Sequence, residues 1–289
     1  MSKPKILLQL DSDAQASVFD SVVAVDAGVD QLFRHSGIQL SQVRDLAYGA
    51  MFTRGLDDLR YTAVFVGGSD VTEGEVILAE LRKAFFGPMR VSVMLDSNGA
   101  NTTAAAAVWT AAKHCPLRDA EALVLAATGP VGSRVVRLLA LEGARVTAAS
   151  RNRDRALAVC QSVAARCPGA NLAAVETKSP DQIDSALEKA QIVIAAGAPG
   201  VELLSAPDRA KGKRLAVAID LSAVPPLGLA GIEVTDRGKE RNGVSCYGAI
   251  GVGGTKMKIH KQAIRQLFEA HDQVLDAEEI YRIAQQLAG

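Results

Sequence analysis

The sequence predicts an α/β protein with two parallel-sheet domains, and three observations lead to this fold class. Short apolar segments typical of buried strands alternate along the chain with segments of helical periodicity. Hydrophobic residues make up 48% of the chain and aromatic residues only 4%, a composition that suits helices packed on a parallel sheet. A glycine-containing turn at 127–132 separates a predicted strand from a predicted helix, which is typical of a Rossmann-type domain.

The first domain is predicted from four strands and the helices that follow them. Ser17 is a candidate helix N-cap with Asp20 three residues further on. The apolar face of that helix is predicted to carry Val18, Phe19, Val22 and Val23. The predicted strands are 5–10, 31–34, 61–66 and 90–95, and the later helices are 41–52, 72–85 and about 101–115. This order implies a parallel sheet with right-handed crossovers.

The second domain is predicted to begin after Cys115-Pro116, where a short polar segment follows an alanine-rich helix. Its predicted strands are 122–127, 145–149, 171–175, 191–195 and 214–219, and its helices run from the glycine turn to about 142, then over 153–166 and 181–189. Two helices end the chain, at about 258–269 and 276–287. Asp276 and Glu279 have the spacing of a capping box at the start of the last helix.

Composition excludes several classes of partner. The 32 Lys and Arg residues balance 32 Asp and Glu residues, so the chain lacks the basic excess of a nucleic-acid-binding protein. No apolar run approaches the roughly 20 residues that span a bilayer, and we expect a soluble, cytoplasmic protein without a membrane partner. The four cysteines and four histidines show no metal-ligand spacing, so we expect structural thiols and no metal.

The strongest local motif is the turn at 127–132, in which Ala127 occupies the first glycine position of the dinucleotide fingerprint. Gly129 allows a pyrophosphate to approach the backbone, and Gly132 allows the helix to pack closely on the strand. The first helical turn adds backbone N–H groups and the positive end of the helix dipole. We therefore predict cofactor contacts at Thr128, Gly129, Pro130, Val131 and Gly132; the alternative is an ordinary strand-to-helix turn.

The residues after the next strand favour NADP over NAD. Ser150-Arg151-Asn152-Arg153 stands where an NAD-specific domain carries an acidic residue for the ribose 2′-hydroxyl. Ser150 can donate a hydrogen bond, and Arg151, assisted by Arg153, can bind a 2′-phosphate. The alternative is a solvated arginine-rich turn. Ala196 and Gly197, which follow the predicted strand 191–195, complete the predicted cofactor contacts.

Polar residues follow three predicted strands of the first domain, at 9–13, 67–70 and 96–98, with Thr102 and Thr103 close behind. The carboxyl ends of parallel strands share one edge, and we expect this edge to form the substrate half of an interdomain cleft. Asp20 and Asp96 are candidates to bind nitrogens of a heterocycle, although each alone is more typical of a cap or turn.

The segment 248–256 does not match a phosphate loop, because Gly254 stands where the motif requires lysine. Its glycines suit a backbone that passes close to a ligand, with Lys256 directed into the cleft. The alternative is a flexible turn before a helix.

Taken together, nine segments in order along nearly the full chain resemble the bacterial NAD(P)-dependent methylene-tetrahydromethanopterin dehydrogenases. They are SVFD at 17–20, FVGG at 65–68, FFGP at 85–88, MLDSNG at 94–99 with NTT at 101–103, TGPVG at 128–132, PPLG at 225–228, TDRGKE at 235–240, GGTK at 253–256 and DAEEIY at 276–281. Ala127 departs from the glycine typical of the family.

The resemblance implies a substrate (pterin) domain of residues 1–115 plus about 259–289, whose C-terminal helices pack back on it, and a dinucleotide domain of residues 116–258. It implies a homo-oligomer, in particular a homotrimer, that oxidises methylene-tetrahydromethanopterin with NADP in formaldehyde oxidation, with NAD as a poorer acceptor. The resemblance supports Lys256, which orients the substrate, Asp20 and the segment Asn101, Thr102 and Thr103 as substrate-binding residues. Phe19, Asp96 and Asn98 complete the predicted substrate-binding set.

The predicted chemistry needs no acid, base or nucleophile. When hydride leaves a carbon that bridges two nitrogens, the positive charge spreads over the N–C–N unit, so catalysis rests mainly on positioning. Three alternatives stay open at this stage: the same chemistry on methylene-tetrahydrofolate, a related NADPH-dependent pterin reductase, and a dinucleotide- or pterin-binding protein without turnover.

Overall fold

The structure is a computed structural model that describes residues 3–178 and 180–287. Its strands and helices alternate, and the predicted fold class is confirmed. In chain order the elements are β1 Ile6–Leu10, α1 Val18–Asp26, β2 Gln31–His35, α2 Leu40–Phe52, β3 Thr62–Val66, α3 Val71–Ala84, β4 Ser92–Leu95, α4 Ala100–Ala112, β5 Glu121–Leu125, α5 Pro130–Leu141, β6 Arg145–Ser150, α6 Arg153–Arg166, β7 Asn171–Glu176, α7 Pro180–Lys189, β8 Ile192–Ala195, α8 Ala206–Arg209, β9 Val217–Asp220, β10 Arg237–Arg241, β11 Val244–Tyr247, α9 Ala249–Gln266, β12 Val274–Leu275 and α10 Ala277–Gln286.

The chain divides into two compact units. Unit 1 contains Met1–Thr102 and Met257–Gly289, and unit 2 contains Thr103–Lys256. Both divisions fall inside helices, α4 and α9, and not at the proline after α4 where the sequence placed the first boundary. The first turn of α4 belongs to unit 1 because its side chains bond to the end of β4, as described below.

Unit 1 is built on a five-stranded sheet of order β12-β4-β3-β1-β2, in which every neighbouring pair is parallel. The C-terminal part of the chain completes this sheet, since β12 pairs with β4. Strand β3 is buried along its whole length, which explains its near-continuous apolar sequence. The core on one side of the sheet includes Leu10, Met51 and Leu81.

Unit 2 is built on a seven-stranded sheet of order β10-β11-β9-β8-β5-β6-β7. Its strands are parallel except for the β10–β11 pair. The chain runs outward from β5 through β6 to β7 and then crosses over to β8 on the other side of β5. The switch in direction between β5 and β8 is where doubly wound sheets bind their ligands.

Local sequence signals place several elements well. Helix α6 has the predicted bounds, and the Asn152 side chain caps it by accepting a hydrogen bond from the Arg155 N–H. The Asp20 N–H donates to Ser17 Oγ at the start of α1. The capping box of Asp276 and Glu279 is present at the start of α10.

The predicted apolar face of α1 is only partly buried. Val23 is 2% exposed, but Val18, Phe19 and Val22 are 51–58% exposed. The sequence pattern overestimates the packing of this helix because valine and phenylalanine are counted as core residues wherever they occur.

The predicted start of this helix at about 258 is wrong, because α9 begins at Ala249 and includes most of the glycine-containing segment 248–256. Low helix propensity of glycine masks this start in the sequence. A Cβ atom on Gly248 or Gly251 would collide with the backbone of residues 233–237, so glycine allows the first turn of α9 to pack against that segment. Gly253 and Gly254 have open space where a side chain would lie.

The hairpin of β10 and β11 was not predicted, although its signal is present. Asn242 and Gly243 form the connection with φ of 54° and 77°. An Asn-Gly pair with both residues at positive φ is the preferred two-residue hairpin turn. The short strand β12 and the helix α8 were also missed.

Candidate functional site

The carboxyl edge of the unit 2 sheet, next to the switch point, carries the glycine turn. Ala126 follows β5 with φ of 55°, a left-handed conformation that is costly for alanine. A Cβ atom on Gly132 would lie 2.5 Å from Ala126 O and 2.9 Å from Ala127 Cα. Gly132 therefore allows α5 to pack directly on the end of β5, as the motif predicts.

Gly129 has a different environment from Gly132. It is the N-cap of α5, with φ of −76° and ψ of 168°. A Cβ atom there would be 3.6 Å from Ala126 O and 3.7 Å from Ala196 O, which is ordinary contact. Glycine at this position is not required by the packing of unit 2, and the missing side chain leaves the backbone uncovered here. The first N–H groups of α5, which have no partner within the helix, are next to it.

Ser150 and Arg151 lie at the end of β6, beside this turn. Ser150 is buried, and its Oγ lies 3.4 Å from Thr128 Oγ1 and accepts a hydrogen bond from the Asn152 N–H at 3.3 Å. Arg151 and Arg153 are exposed. The edge thus combines a fixed hydroxyl pair with arginine side chains that are accessible to a phosphate.

Ala196 and Gly197 lie at the same edge, after β8. The Ala196 N–H donates to Leu125 O at 3.1 Å, which ties the end of β8 to the end of β5. The structure therefore brings all ten predicted cofactor residues to one edge of one sheet. Their contact with a cofactor stays a prediction.

Asp220, at the carboxyl end of β9, was missed by the sequence analysis. Its carboxylate is fully buried and accepts hydrogen bonds from the Ser222 N–H at 2.9 Å and the Leu229 N–H at 2.8 Å. Burial raises the pKa of Asp220, against the lowering effect of these backbone donors. The residue fixes the loop after β9 beside the cofactor residues. The sequence signal that could have pointed to Asp220 is an aspartate at the end of a predicted buried strand.

At the carboxyl edge of the unit 1 sheet, the predicted substrate residues fall into buried and accessible groups. Asp96 is buried and accepts hydrogen bonds from the Thr102 N–H at 2.9 Å and from Thr102 Oγ1 at 2.6 Å. Asn101 is also buried, and its Nδ2 donates to Leu95 O at 2.6 Å and to Asp276 Oδ1 at 3.0 Å. These three side chains join the end of β4 to α4 and α10, so their position favours support of the edge.

The accessible group is Phe19, Asp20 and Asn98. Phe19 and Asn98 are exposed and Asp20 is half-buried. Asn98 has a left-handed φ of 54°, and its N–H donates to Gly68 O at 2.7 Å, so the turns after β3 and β4 are joined. Asp20 lies beside the turn after β3, with Oδ2 3.7 Å from the position of a Cβ on Gly67.

Two predicted substrate residues lie at the division between the units. Thr103 is the first residue of unit 2 and is half-buried within α4. Lys256 is the last residue of unit 2 and is half-buried within α9. The lysine is therefore held by a helix and not by a flexible loop.

His260 was also missed, and it is the fully buried histidine of α9. Its ring stacks on Phe65 with centroids 5.6 Å apart, lies 6.4 Å from the Phe19 ring, and places Nδ1 3.9 Å from Asp96 Oδ2. It follows Lys256 by four residues, so both lie on one face of α9. A single histidine on a helical face gives no sequence signal that distinguishes this position from ordinary core.

These features define a class of protein: a two-unit α/β chain whose second unit has the dinucleotide-binding edge of a dehydrogenase. A family model described as NAD(P)H-binding matches residues 126–276, and one described as methylene-tetrahydromethanopterin dehydrogenase, N-terminal, matches residues 18–98.

Comparison with known proteins identifies the family within this class. The chain is 44% identical over 290 residues to the "Bifunctional protein MdtA" of Methylorubrum extorquens, with all of both chains covered. It is 29% identical to the NAD(P)-dependent methylenetetrahydromethanopterin dehydrogenase of the same organism, covering 98% of this chain and 99% of the other. The chain belongs to the methylene-tetrahydromethanopterin dehydrogenase family.

Solved structures extend the likeness at the level of the fold. Quinate dehydrogenase from Corynebacterium glutamicum, solved in complex with NAD, is similar with a TM-score of 0.57 and 12% identity, covering 98% of this chain and 100% of that one. Within the described residues, no helix is long and apolar enough to cross a membrane.

Proposed function

We propose that this protein is an NADP-dependent methylene-tetrahydromethanopterin dehydrogenase. The reaction moves a hydride, with its two electrons, from the bridging methylene carbon to NADP and leaves the methenyl cation as product. The observation that carries the proposal is the similarity over 98% of the chain, at 29% identity, to an NAD(P)-dependent methylenetetrahydromethanopterin dehydrogenase. The open backbone at Gly129 and the presence of Arg151, where an NAD-specific domain carries an acidic residue, support the cofactor assignment.

The residues of unit 2 fit a dinucleotide. Gly132 provides the close helix-strand packing, Gly129 leaves the backbone accessible, and the start of α5 offers N–H groups to the pyrophosphate. Arg151 binds the 2′-phosphate, assisted by Arg153, while Ser150 and Thr128 line the ribose side. When bound, NADP supplies the carbon that accepts the hydride. We assign Ala196 and Gly197, which lie beside Gly129, to the cofactor contacts as well.

The residues of unit 1 bind and orient the pterin. Phe19, Asp20 and Asn98 are accessible and provide an aromatic surface and polar partners for the heterocycle. The buried Asp96, Asn101 and Thr102 hold the turn that presents them, and Thr103 follows in α4. Since the methylene carbon becomes part of a cation, precise orientation is the main contribution of these side chains.

Lys256 orients the substrate at a distance from the reacting carbon. An ammonium group next to a developing cation raises the barrier, so Lys256 binds a carbonyl oxygen or ring nitrogen of the pterin. No proton leaves the substrate in this reaction, and a general base is not required. The helical position of Lys256 in α9 supports a fixed orienting role.

Finer properties follow from the family resemblance and belong to the same proposal. We infer a cytoplasmic homotrimer that acts in the oxidation of formaldehyde-derived one-carbon units in methylotrophy. Light scattering on the purified protein measures the oligomeric state directly.

The function is tested by following the absorbance of reduced nicotinamide. Purified protein is mixed with NADP or NAD and with methylene-tetrahydromethanopterin or methylene-tetrahydrofolate. We expect the highest kcat/KM with the methanopterin substrate and NADP. Turnover only with the folate substrate shows that the protein uses methylene-tetrahydrofolate instead. Saturable NADP binding without turnover of either substrate contradicts an enzymatic role.

A further inference from the structure

A separate pocket lies at the amino edge of the unit 2 sheet. Its volume is about 510 Å³, of the size that binds small molecules, and it lies between α8 with the residues that follow it and the β10–β11 turn. The lining includes Arg209, Lys213, Arg241 and Asn242. Because β9 and β11 begin here, and β5 is parallel to the same strands, the pocket lies at the opposite edge of the sheet from the glycine turn.

Arg209 is the unusual residue of this pocket. It lines the pocket, yet it is only 9% exposed. One guanidinium nitrogen donates to Ala230 O at 3.3 Å, and the other terminal nitrogen is 3.9 Å from Cys246 Sγ. Among the described residues its Nε has no hydrogen-bond partner. A buried guanidinium with so few acceptors is costly unless an anion compensates its charge.

The neighbouring charges do not supply that anion. Asp208, next in the chain, accepts a hydrogen bond from Ser205 and pairs with Lys211 at 2.9 Å. Asp236 pairs with Arg241 through two hydrogen bonds of 2.8 and 3.0 Å. The described lining contains no carboxylate.

Lys213 adds a second cation to the pocket. Its Nζ donates to a backbone oxygen, Ala210 O, at 3.0 Å, so its charge is not compensated by that contact. The pocket therefore has an excess of positive charge, with alanine, leucine and valine side chains in the same lining. That combination suits a small molecule with an anionic head and an apolar part.

We propose that this pocket binds an oxyanion, carried by a small metabolite as a phosphate or carboxylate group. Arg209 supplies its positive charge from the wall of the pocket, and Lys213 adds charge at the entrance. The site is distinct from the dinucleotide edge and needs no part of the proposed reaction. Binding there stabilises unit 2 at the end of the sheet where α8 and the hairpin meet.

Thermal unfolding of the whole protein tests the site, with inorganic phosphate and succinate as separate probes. Titrations are run at constant ionic strength with chloride, and with saturating NADP so that phosphate does not act at the glycine turn. We expect at least one probe to raise the Tm saturably, by roughly 2–4 °C at about five times its Kd. Whether phosphate, succinate or both raise the Tm identifies the preferred anionic group. A Tm that neither probe shifts at tens of millimolar overturns the proposal.

Variants locate the effect. Arg209→Met keeps a long apolar side chain and removes the charge, and it is expected to abolish the shift; Arg214→Met, at an exposed arginine outside the pocket lining, is the matched control and keeps it. Because Arg209→Met changes a buried position, Lys213→Gln provides a second test at an exposed position. It is expected to lower the affinity of the probe several-fold. The proposed site is contradicted if both pocket variants keep the full probe-induced rise in Tm. It is also contradicted if Arg214→Met loses that rise to the same extent as the pocket variants.

Discussion

The carboxyl edges of the two sheets are built in different ways. At the edge of unit 2, the central feature is backbone: Gly129 and Gly132 leave room for a ligand and for a helix, respectively. At the edge of unit 1, side chains bond to one another, as Asp96 does to Thr102 and Asn101 does to Asp276. The edge proposed for the dinucleotide can therefore be predicted from a short stretch of sequence, whereas the edge proposed for the substrate depends on contacts between residues that are distant in the chain.

The largest effect is expected at Gly132, where the backbone leaves no space. Gly132→Ala places a Cβ 2.5 Å from Ala126 O, so α5 must move away from β5. We expect a loss of about 1–3 kcal/mol in the free energy of unfolding and a weaker affinity for NADP, measured by urea denaturation and by calorimetry.

Gly129→Ala is the matched variant, because its Cβ would be 3.6 Å from Ala126 O. It is expected to retain wild-type stability and to lose NADP affinity alone. Equal destabilisation by the two variants contradicts the distinction between the glycine needed for packing and the glycine needed for ligand access.

The next effect concerns cofactor choice. Arg151→Ala is expected to reduce NADP affinity about 10- to 100-fold, since it removes a charge-assisted hydrogen bond to the 2′-phosphate, and to leave NAD affinity unchanged. Equilibrium binding of both cofactors measures this. Arg155→Ala, at an exposed arginine in the first turn of α6, serves as the control. An unaltered ratio of the two affinities shows that Arg151 does not read the phosphate.

At the edge of unit 1 proposed for the substrate, two variants distinguish residues that stabilise the fold from residues that contact the substrate. Thr102→Val removes a hydrogen bond to the buried Asp96 and is expected to cost about 1–3 kcal/mol of stability. Lys256→Ala is expected to lower kcat/KM about tenfold or more with little change in Tm. Urea denaturation and steady-state kinetics on both variants test the pair. If the Lys256→Ala enzyme has the wild-type kcat/KM, Lys256 does not orient the substrate.

The smallest effect is expected at Asp220, where burial raises the pKa. A carboxyl group with a raised pKa in the folded protein binds its proton more readily than in the unfolded chain. Wild-type stability, relative to Asp220→Asn, is therefore expected to rise as the pH falls from the folded-state pKa towards the ordinary aspartate value. At neutral pH the two proteins should differ by about 1 kcal/mol, because the penalty for burying the ionised carboxylate offsets much of the cost of replacing one of its two acceptor oxygens with an NH2 group. Denaturation at several pH values checks the sign, and a wild-type advantage that shrinks on acidification contradicts it.

The sequence predicts the fold wherever local signals agree with the tertiary structure. Helix α6 has its predicted bounds because its cap, Asn152, and its periodicity are both local features. The same holds for the turn before α5, which has a recognised glycine spacing. The start of helix α9 was missed because Gly248 and Gly251 satisfy a packing requirement against residues 233–237 that no local pattern contains.

The candidate site shows the same limit. The ten predicted cofactor residues gather at one edge, as a spacing motif can foresee. The burial of Asp96 and Asn101, by contrast, depends on α4 and α10 and on distant partners such as Asp276. His260 and Asp220 were missed because both are defined by tertiary contacts. His260 packs against Phe65 and lies near Asp96, and Asp220 bonds to the loop after β9.

Direct hydride transfer is the central claim, and isotope transfer tests it. The protein is incubated with NADP and with methylene-tetrahydromethanopterin that carries two deuterium atoms on the bridging carbon, and both products are analysed by mass spectrometry. We predict one deuterium in the reduced nicotinamide and one in the methenyl product. Reduced nicotinamide without deuterium, formed at the same rate as the methenyl product, contradicts hydride transfer between the two bound molecules.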